Sequence, residues 1–346
     1  MCPRVDADET GGGTDFFPKA HRARRAGTVY IAGDLRRSLT EADSTRGLAR
    51  LGPHFDLPGL LSERRGLDAV VPYFTQSAPL YFFAHSMRGA MHMALNPDGR
   101  FHRRGYEAQA LIVERHVRTL GARRVLEIGC GRGFNLLGLA RRNPHVAFVG
   151  LDLTPWHVRS ARLVAHRRRN LEIDEGDFHH LPYADGAFDL VFSVEAICHA
   201  ADVYQVVEEV RRVLRPGGRF VTIEPWRSAG FDTFEEEARN AVRLVETAFV
   251  LPDLQEFDRW LDRTTALGFE PIVSEDVTAA ALPNLDKLHR QALRWRRISW
   301  GRPTLRRLAP HLTENALAAV LLGECFRNGP STAPGCYRHT VVERRS

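Results

Sequence analysis

The hydrophobic positions change their spacing along the chain, and each change marks a different kind of structure. Up to about residue 65 no period is sustained; a glycine run (Gly11 to Gly13) and a basic run (His21 to Arg25) predict a loosely structured segment. From about Gly66 to Leu120 the reading is helical. An aromatic-rich stretch (Tyr73, Phe74, Leu80, Tyr81, Phe82, Phe83) comes first. Ala110, Leu111, Val113 and Val117 then fall where the buried stripe of a helix over Tyr106 to Val117 would fall.

Beyond residue 120, strands and helices alternate. Arg124 to Ile128 reads as a buried strand, followed by a glycine turn and a helix from Phe134 to Arg142. Val146 to Leu151, Leu171 to Ile173, Phe188 to Val194 and Arg219 to Glu224 read as further strands. Pro155 is placed to open a helix after the second strand. Val203 to Leu214 has helical spacing that stops at Pro216-Gly217-Gly218. Helical segments follow at Phe234 to Phe249 and Leu254 to Leu267, then a strand near Pro271 to Val277, a helical insertion at about 279–333 and a final strand near Tyr337 to Val342. The alternation predicts an α/β fold: a mostly parallel, Rossmann-like sheet with helices on both faces. Three parts result: a loose segment at 1–65, a helical cap over the site at 66–120, and the sheet domain at 121–346 with its late helical insertion.

Composition narrows the class only modestly. With 44% apolar and 26% charged residues over 346 positions, the chain has the balance of a globular protein with a full core. No apolar run reaches the roughly 18 residues of a membrane helix, and the first residues lack a secretory apolar stretch, so a cytoplasmic location is expected. Five scattered cysteines (Cys2, Cys130, Cys198, Cys325, Cys336) form no C-x-x-C pair, which argues against a disulfide framework or structural zinc. The net charge of +6 is carried by arginine, since Lys19 and Lys287 are the only lysines. No nucleic-acid-binding motif accompanies it, so a nucleic-acid partner is not expected.

The chemistry starts at Glu127-Ile-Gly129-Cys-Gly131-Arg-Gly133, between a predicted strand and a predicted helix. Glycines there permit a sharp turn and close approach of a ligand to the backbone. Asp152 ends the next strand, placed to accept the hydroxyls of a ribose. A dinucleotide fingerprint would put its third glycine one position later, where Phe134 stands.

The E-x-G-x-G-x-G turn, Asp152, the pair Gly176-Asp177 and the LRPGGRF run resemble class I S-adenosylmethionine-dependent methyltransferases over about residues 105–275. The resemblance implies a seven-stranded sheet with a reversed final strand. It also implies that Glu127, Gly129, Gly131, Gly133, Asp152, Leu153, Asp177 and Phe178 surround S-adenosylmethionine. A narrower likeness, at Ser193 to Ala200 (SVEAICHA), Glu224-Pro225-Trp226 and Gly89 to His92, is to sterol C-methyltransferases and to the bacterial enzymes that methylate prenyl diphosphates at carbon. It implies methyl transfer to an isoprenoid alkene, a prenyl diphosphate being favoured over a sterol. An oxygen or nitrogen methyltransferase of a specialised metabolite and a non-catalytic cofactor-binding protein are the rival readings.

Methylating an alkene leaves a carbocation, which an aromatic face can stabilise and a base must deprotonate. Trp226, Tyr73, Phe74 and Tyr81 are the aromatic candidates and Glu195 the base, with His199 four residues on and on the same face if the chain continues as a helix. His92 is expected at the acceptor. For a diphosphate, the arginine cluster Arg294, Arg296, Arg297, Arg302, Arg306 and Arg307, with Trp295 and Trp300 interleaved, offers anchors, Arg294 and Arg297 foremost. No metal-ligand spacing stands out. Assistance by Mg2+ and association into a homo-oligomer are left open.

Overall fold

Seven strands lie side by side in the order β3-β2-β1-β4-β5-β7-β6. They are β1 (Arg124–Ile128), β2 (Ala147–Asp152), β3 (Leu171–Glu175), β4 (Phe188–Val194), β5 (Leu214–Arg227), β6 (Phe269–Asp276) and β7 (Gly335–Arg344). This is the arrangement of a computed structural model, which describes residues 48, 51, 55–252, 254–299, 310–326 and 333–346. The expectations for residues 1–47, and for Trp300, Arg302, Arg306 and Arg307, lie outside the described residues, as do the side chains of Trp295, Arg296 and Arg297.

The first five strands pair in parallel, and β7 runs antiparallel between β5 and β6. Strands β1 and β4 are largely buried on both faces because helices cover both sides of the sheet. The helix α4 (Phe134–Arg142) follows β1 directly, and α5 (Pro155–Ala165) follows β2, with its proline in the first turn. The helix α6 (Val203–Val213) opens at Asp202, whose carboxylate accepts from the Tyr204 and Gln205 N–H groups, and buries the stripe Val203, Val206, Val207, Val210 and Val213.

Two expectations are corrected here. Pro216-Gly217-Gly218 does not separate helix from strand: α6 ends at Val213, and β5 already begins at Leu214. The triplet forms an irregularity within β5, where the pairing with β4 shifts register and Gly217 takes a φ of +71°. Downstream, the strand extends to Arg227 because β7 pairs with every residue from Arg219 onward.

The segment 66–120 is also only partly helical. Helix α2 (Val70–Leu80) runs into a π-turn at Tyr81–His85, and α3 (Ala108–Leu120) comes later, but residues 86–102 form no helix. That stretch includes Gly89 and Gly99 at positive φ, and it is held by distant partners. The Asn96 N–H donates to the Ala280 carbonyl and the Ala94 N–H to the Asn284 side chain. Among the described residues ahead of α2 is the short helix α1 (Leu57–Ser62).

After β5 come α7 (Glu236–Phe249) and α8 (Phe257–Ala266). Between β6 and β7, the described residues of the late insertion include two helices, α9 (Thr278–Ser299) and α10 (Pro310–Phe326). They pack on α7 through Val242, Val245, Leu285, Ala292, Leu317 and Leu321. This apolar body is separate from the sheet core around Leu126, Val191, Val210 and Phe220.

Candidate functional site

The chain turns sharply where β1 ends, beside the point at which the strand order reverses between β1 and β4. Gly129, Gly131 and Gly133 take φ values of +67°, +52° and +76° there, a region open to glycine and strained for other residues. A Cβ on Gly129 would lie 2.3 Å from the Ala196 Cβ, so the turn is packed directly against the end of β4. Asp152 joins the turn from the next strand. One of its oxygens accepts from the Gly131 N–H at 2.8 Å, the other from the Thr154 N–H at 2.9 Å and the His157 Nδ1 at 3.1 Å. Glu127 lies beneath, buried, with one oxygen accepting from Asn135 at 2.9 Å and the other without a partner. Burial pushes its carboxyl up to about 8.

These groups open onto a cavity with about 2200 Å³ of empty space, counting its mouth. Glu127, Gly129, Gly131, Asp152, Leu153, Asp177 and Phe178 line the cavity together, so the structure gathers the expected cofactor residues at one end, with Gly133 starting α4 behind them. Asp177 accepts from both the backbone and the ring of His179, leaving one carboxylate oxygen for a ligand.

Glu195 and His199 also line the cavity, but not as neighbours on a helix. Glu195 sits at a φ of +49°, outside any helix, and only a 3-10 turn at Ile197–His199 follows. The expected shared helical face is therefore corrected. The Glu195 Oε1 accepts from the Met93 N–H and from the Tyr337 hydroxyl, each at 2.6 Å. Burial pushes this carboxyl up to about 7, its two donors holding it lower than burial alone would. The His199 Nδ1–H donates to the Val250 carbonyl at 2.9 Å, which leaves Nε2 with the lone pair. Burial pulls its pKa down to about 4, so the ring is neutral at pH 7.

The aromatic candidates divide. Phe74 and Tyr81 line the cavity, and the Phe74 ring lies 5.1 Å from both His157 and His199. Tyr73 does not reach the wall. It is wholly buried behind Phe74, its hydroxyl bonded to Tyr81 and Asn315, and so supports rather than faces the cavity. Trp226 touches the wall, but its ring is stacked 4.6 Å from Trp260, so one aromatic face is already covered. His92 lines the cavity with Nε2 bonded to Asn135 at 3.2 Å, which ties it to Glu127. Arg294 is exposed on α9 and absent from the wall, and the Arg297 side chain lies outside the described residues.

Several wall residues had no local signal. Tyr337 comes from β7 and Met93 from the cap, 142 and 102 positions from Glu195. Arg132 is the one Lys or Arg of the wall among the described residues, and its guanidinium lies between the rings of Phe82 and Trp156. Five carboxylates (Glu127, Asp152, Asp177, Glu195, Glu246) also reach it. The far end is apolar, built by Val242, Val245, Leu285, Leu288, Ala316 and Leu322 of α7, α9 and α10. Among the described residues no group of three His, Cys, Asp or Glu side chains could hold a metal ion, and no helix is long and apolar enough to cross a membrane.

The buried acids give the fold an unusual pH response. Glu127, Glu195 and Glu224 have folded pKa values of about 8, 7 and 7 against 4.5 unfolded. Their stabilising share is complete below about 4.5 and is lost as pH rises through 7 and 8. His85, His92, His116 and His199 are lowered from 6.5 to about 3 or 4, which costs stability only as pH falls below 6.5. Burial also pulls Lys287 from 10.5 down to about 8, which adds stability only as pH rises past about 8, so between pH 6.5 and 8 the acids prevail and Tm of the ligand-free protein should fall. A thermal melt series checks this, and a flat or rising Tm would contradict the assigned burial of these carboxyls.

Comparison with known proteins fits this geometry. Residues 126–222 match the family model of a methyltransferase domain. The chain thus carries a methyltransferase domain, set within the seven-stranded sheet whose strand ends bear the glycine turn and Asp152. It is 31% identical over 228 residues to 24-methylenesterol C-methyltransferase 2 of Oryza sativa subsp. japonica, covering 64% of this chain and 57% of that one. It is 30% identical over 187 residues to cycloartenol-C-24-methyltransferase of Arabidopsis thaliana, covering 52% and 55%. The chain thus spans little more than half the length of these curated relatives. Among solved structures, the cyclase SpnF superposes with a TM-score of 0.66 at 22% identity, over 82% of this chain and 97% of that one. Geranyl diphosphate C-methyltransferase of Streptomyces coelicolor A3(2) superposes at 0.55 and 17%, over 80% and 97%. At such identities the likeness is one of fold, and the presence of a cyclase there shows that the fold alone does not name a reaction.

Proposed function

We propose that the protein transfers a methyl group from S-adenosylmethionine to an alkene carbon of a neutral, apolar isoprenoid, a sterol-like acceptor rather than a prenyl diphosphate. The observation that carries this is the cavity wall. One end has the glycine turn and acids suited to a nucleoside cofactor, and the other is a greasy basin of three helices, with Glu195 on the same wall. A diphosphate brings several negative charges and calls for converging Arg or Lys groups. Arg132 alone among the described residues reaches the wall, against five carboxylates. Of the cationic anchors the sequence offered for a diphosphate, Arg294 is exposed and absent from the wall, and the side chains of the other five lie outside the described residues.

The residues at hand fit the cofactor. Gly129 and Gly131 leave the backbone bare, Asp152 and Asp177 would hold ribose and adenine with Phe178 against the ring, and the unpartnered Glu127 oxygen would meet the positively charged methionyl end. When bound, the cofactor supplies an electrophilic methyl group. The remaining work falls to the chain. Phe74 and Tyr81 present aromatic faces toward a developing cation, and His199, neutral, adds no repelling charge. Glu195, held by Met93 and Tyr337, takes the proton that the methylated carbocation must lose.

The pH profile follows. Glu195 must be ionised to act, so kcat should rise with pH through about 7. Replacing Tyr337 with Phe removes a donor that favours the ionised form, and the limb should move to higher pH by roughly half to one unit. An unmoved limb would separate Tyr337 from the base. The acceptor class is tested by competition: a neutral sterol alkene should take methyl label from the cofactor in the presence of excess geranyl or farnesyl diphosphate. Label appearing in the diphosphate instead would overturn the assignment.

A further inference from the structure

We propose that Glu224 is a positioning residue for the base, locking the turn that aims Glu195 into the cavity; this rests on the reading of Glu195 as base. Glu224 lies on β5, fully buried and off the cavity wall, so it touches no ligand. Its Oε1 accepts from the Ser193 hydroxyl at 2.6 Å, the Ala196 N–H at 3.0 Å and the Ile197 N–H at 3.3 Å. The Glu195 N–H itself donates to the carbonyl of Ile223, the residue before Glu224. Four of the five residues from Ser193 to Ile197 are thus tied to two adjacent positions of β5.

The tie has a reason. Glu195 is one of two non-glycine residues at positive φ among those described, a backbone state that persists only where its surroundings over-determine it. The turn has no room to relax towards β1, because Ala196 presses on the position where Gly129 lacks a Cβ. Glu224 therefore holds both the strained backbone of the base and the wall of the glycine turn. Its charge adds a second effect. The groups that face Glu195 are Tyr337 of β7, Tyr81 of the π-turn, Tyr106 ahead of α3, Cys198 of the 3-10 turn and Glu224. Phenols and thiol are all held protonated near neutral pH, so Glu224 is the one whose ionisation opposes that of Glu195.

Two substitutions separate the effects. Glu224→Gln keeps an acceptor oxygen for the turn and removes the charge. Its Glu195 carboxyl should titrate at lower pH, with cofactor affinity within about twofold of the unaltered protein. Glu224→Ala frees the turn, and kcat should fall by about 100-fold, the loss expected of a group misplaced by about 1 Å, with little change in KM. The Glu195 titration is read by infrared spectroscopy of 13C-labelled carboxylates, as the band that disappears in Glu195→Gln. That reading needs no acceptor, so it stands even if no isoprenoid is methylated. Should Glu224→Ala not fold, the glutamine variant decides. An unmoved Glu195 titration in Glu224→Gln, or turnover kept within threefold in a folded Glu224→Ala, would overturn the proposal.

Discussion

Glu195→Gln is expected to lower turnover by about 10²- to 10⁴-fold, the range a positioned general base contributes, while leaving cofactor affinity intact. The amide keeps the shape of the side chain and an oxygen for the Met93 N–H and Tyr337 hydroxyl, so the wall should survive. What disappears is the lone pair able to take a proton. His199 lines the same cavity as an alternative base, but its pKa near 4 makes it a weaker one at neutral pH. The check is single-turnover kinetics with labelled cofactor beside an equilibrium binding measurement. Turnover retained within a few-fold would move the base elsewhere on the wall.

Gly129→Ala should be the most damaging single change in the cofactor half. The added Cβ would sit 2.3 Å from the Ala196 Cβ, at a φ of +67°. Backbone strain and overpacking each cost on the order of 1–3 kcal/mol. Neither neighbour yields easily, since Ala196 is tied to Glu224. The variant should lose several degrees of Tm and bind S-adenosylhomocysteine at least tenfold more weakly by calorimetry. Gly131→Ala meets only the Met91 sulphur at 3.3 Å and should be milder in packing, though equally strained. Wild-type-like affinity in Gly129→Ala would detach the turn from the cofactor.

How far the sequence carried these conclusions depended on how local the determinants were. The bounds of β1 and α4 are those predicted, because an apolar strand, a glycine turn and an amphipathic helix are written in about twenty consecutive residues. The glycine turn with Asp152 and Asp177 was legible for the same reason: each stands at the end of a strand that its own neighbours define. The surroundings of Glu195 were not, because Met93, Tyr337 and Glu224 reach it from the cap and from the sheet. Residues 86–102 looked helical by association with their neighbours, yet they form no helix, and tertiary hydrogen bonds tie Ala94 and Asn96 to α9. Aromatic content alone misassigned Tyr73, since burial behind Phe74 is a property of packing. The apolar far end of the cavity was likewise illegible, because α7, α9 and α10 build it from residues scattered over about eighty positions.

Where the methyl group goes decides the function. Incubation with methyl-labelled S-adenosylmethionine and a panel holding a sterol alkene, isopentenyl, geranyl and farnesyl diphosphates, a phenol and an amine, with mass and NMR analysis of products, tests it most directly. The expected product is a neutral isoprenoid with label on carbon and one proton lost. Label confined to oxygen or nitrogen of the phenol or amine would contradict it.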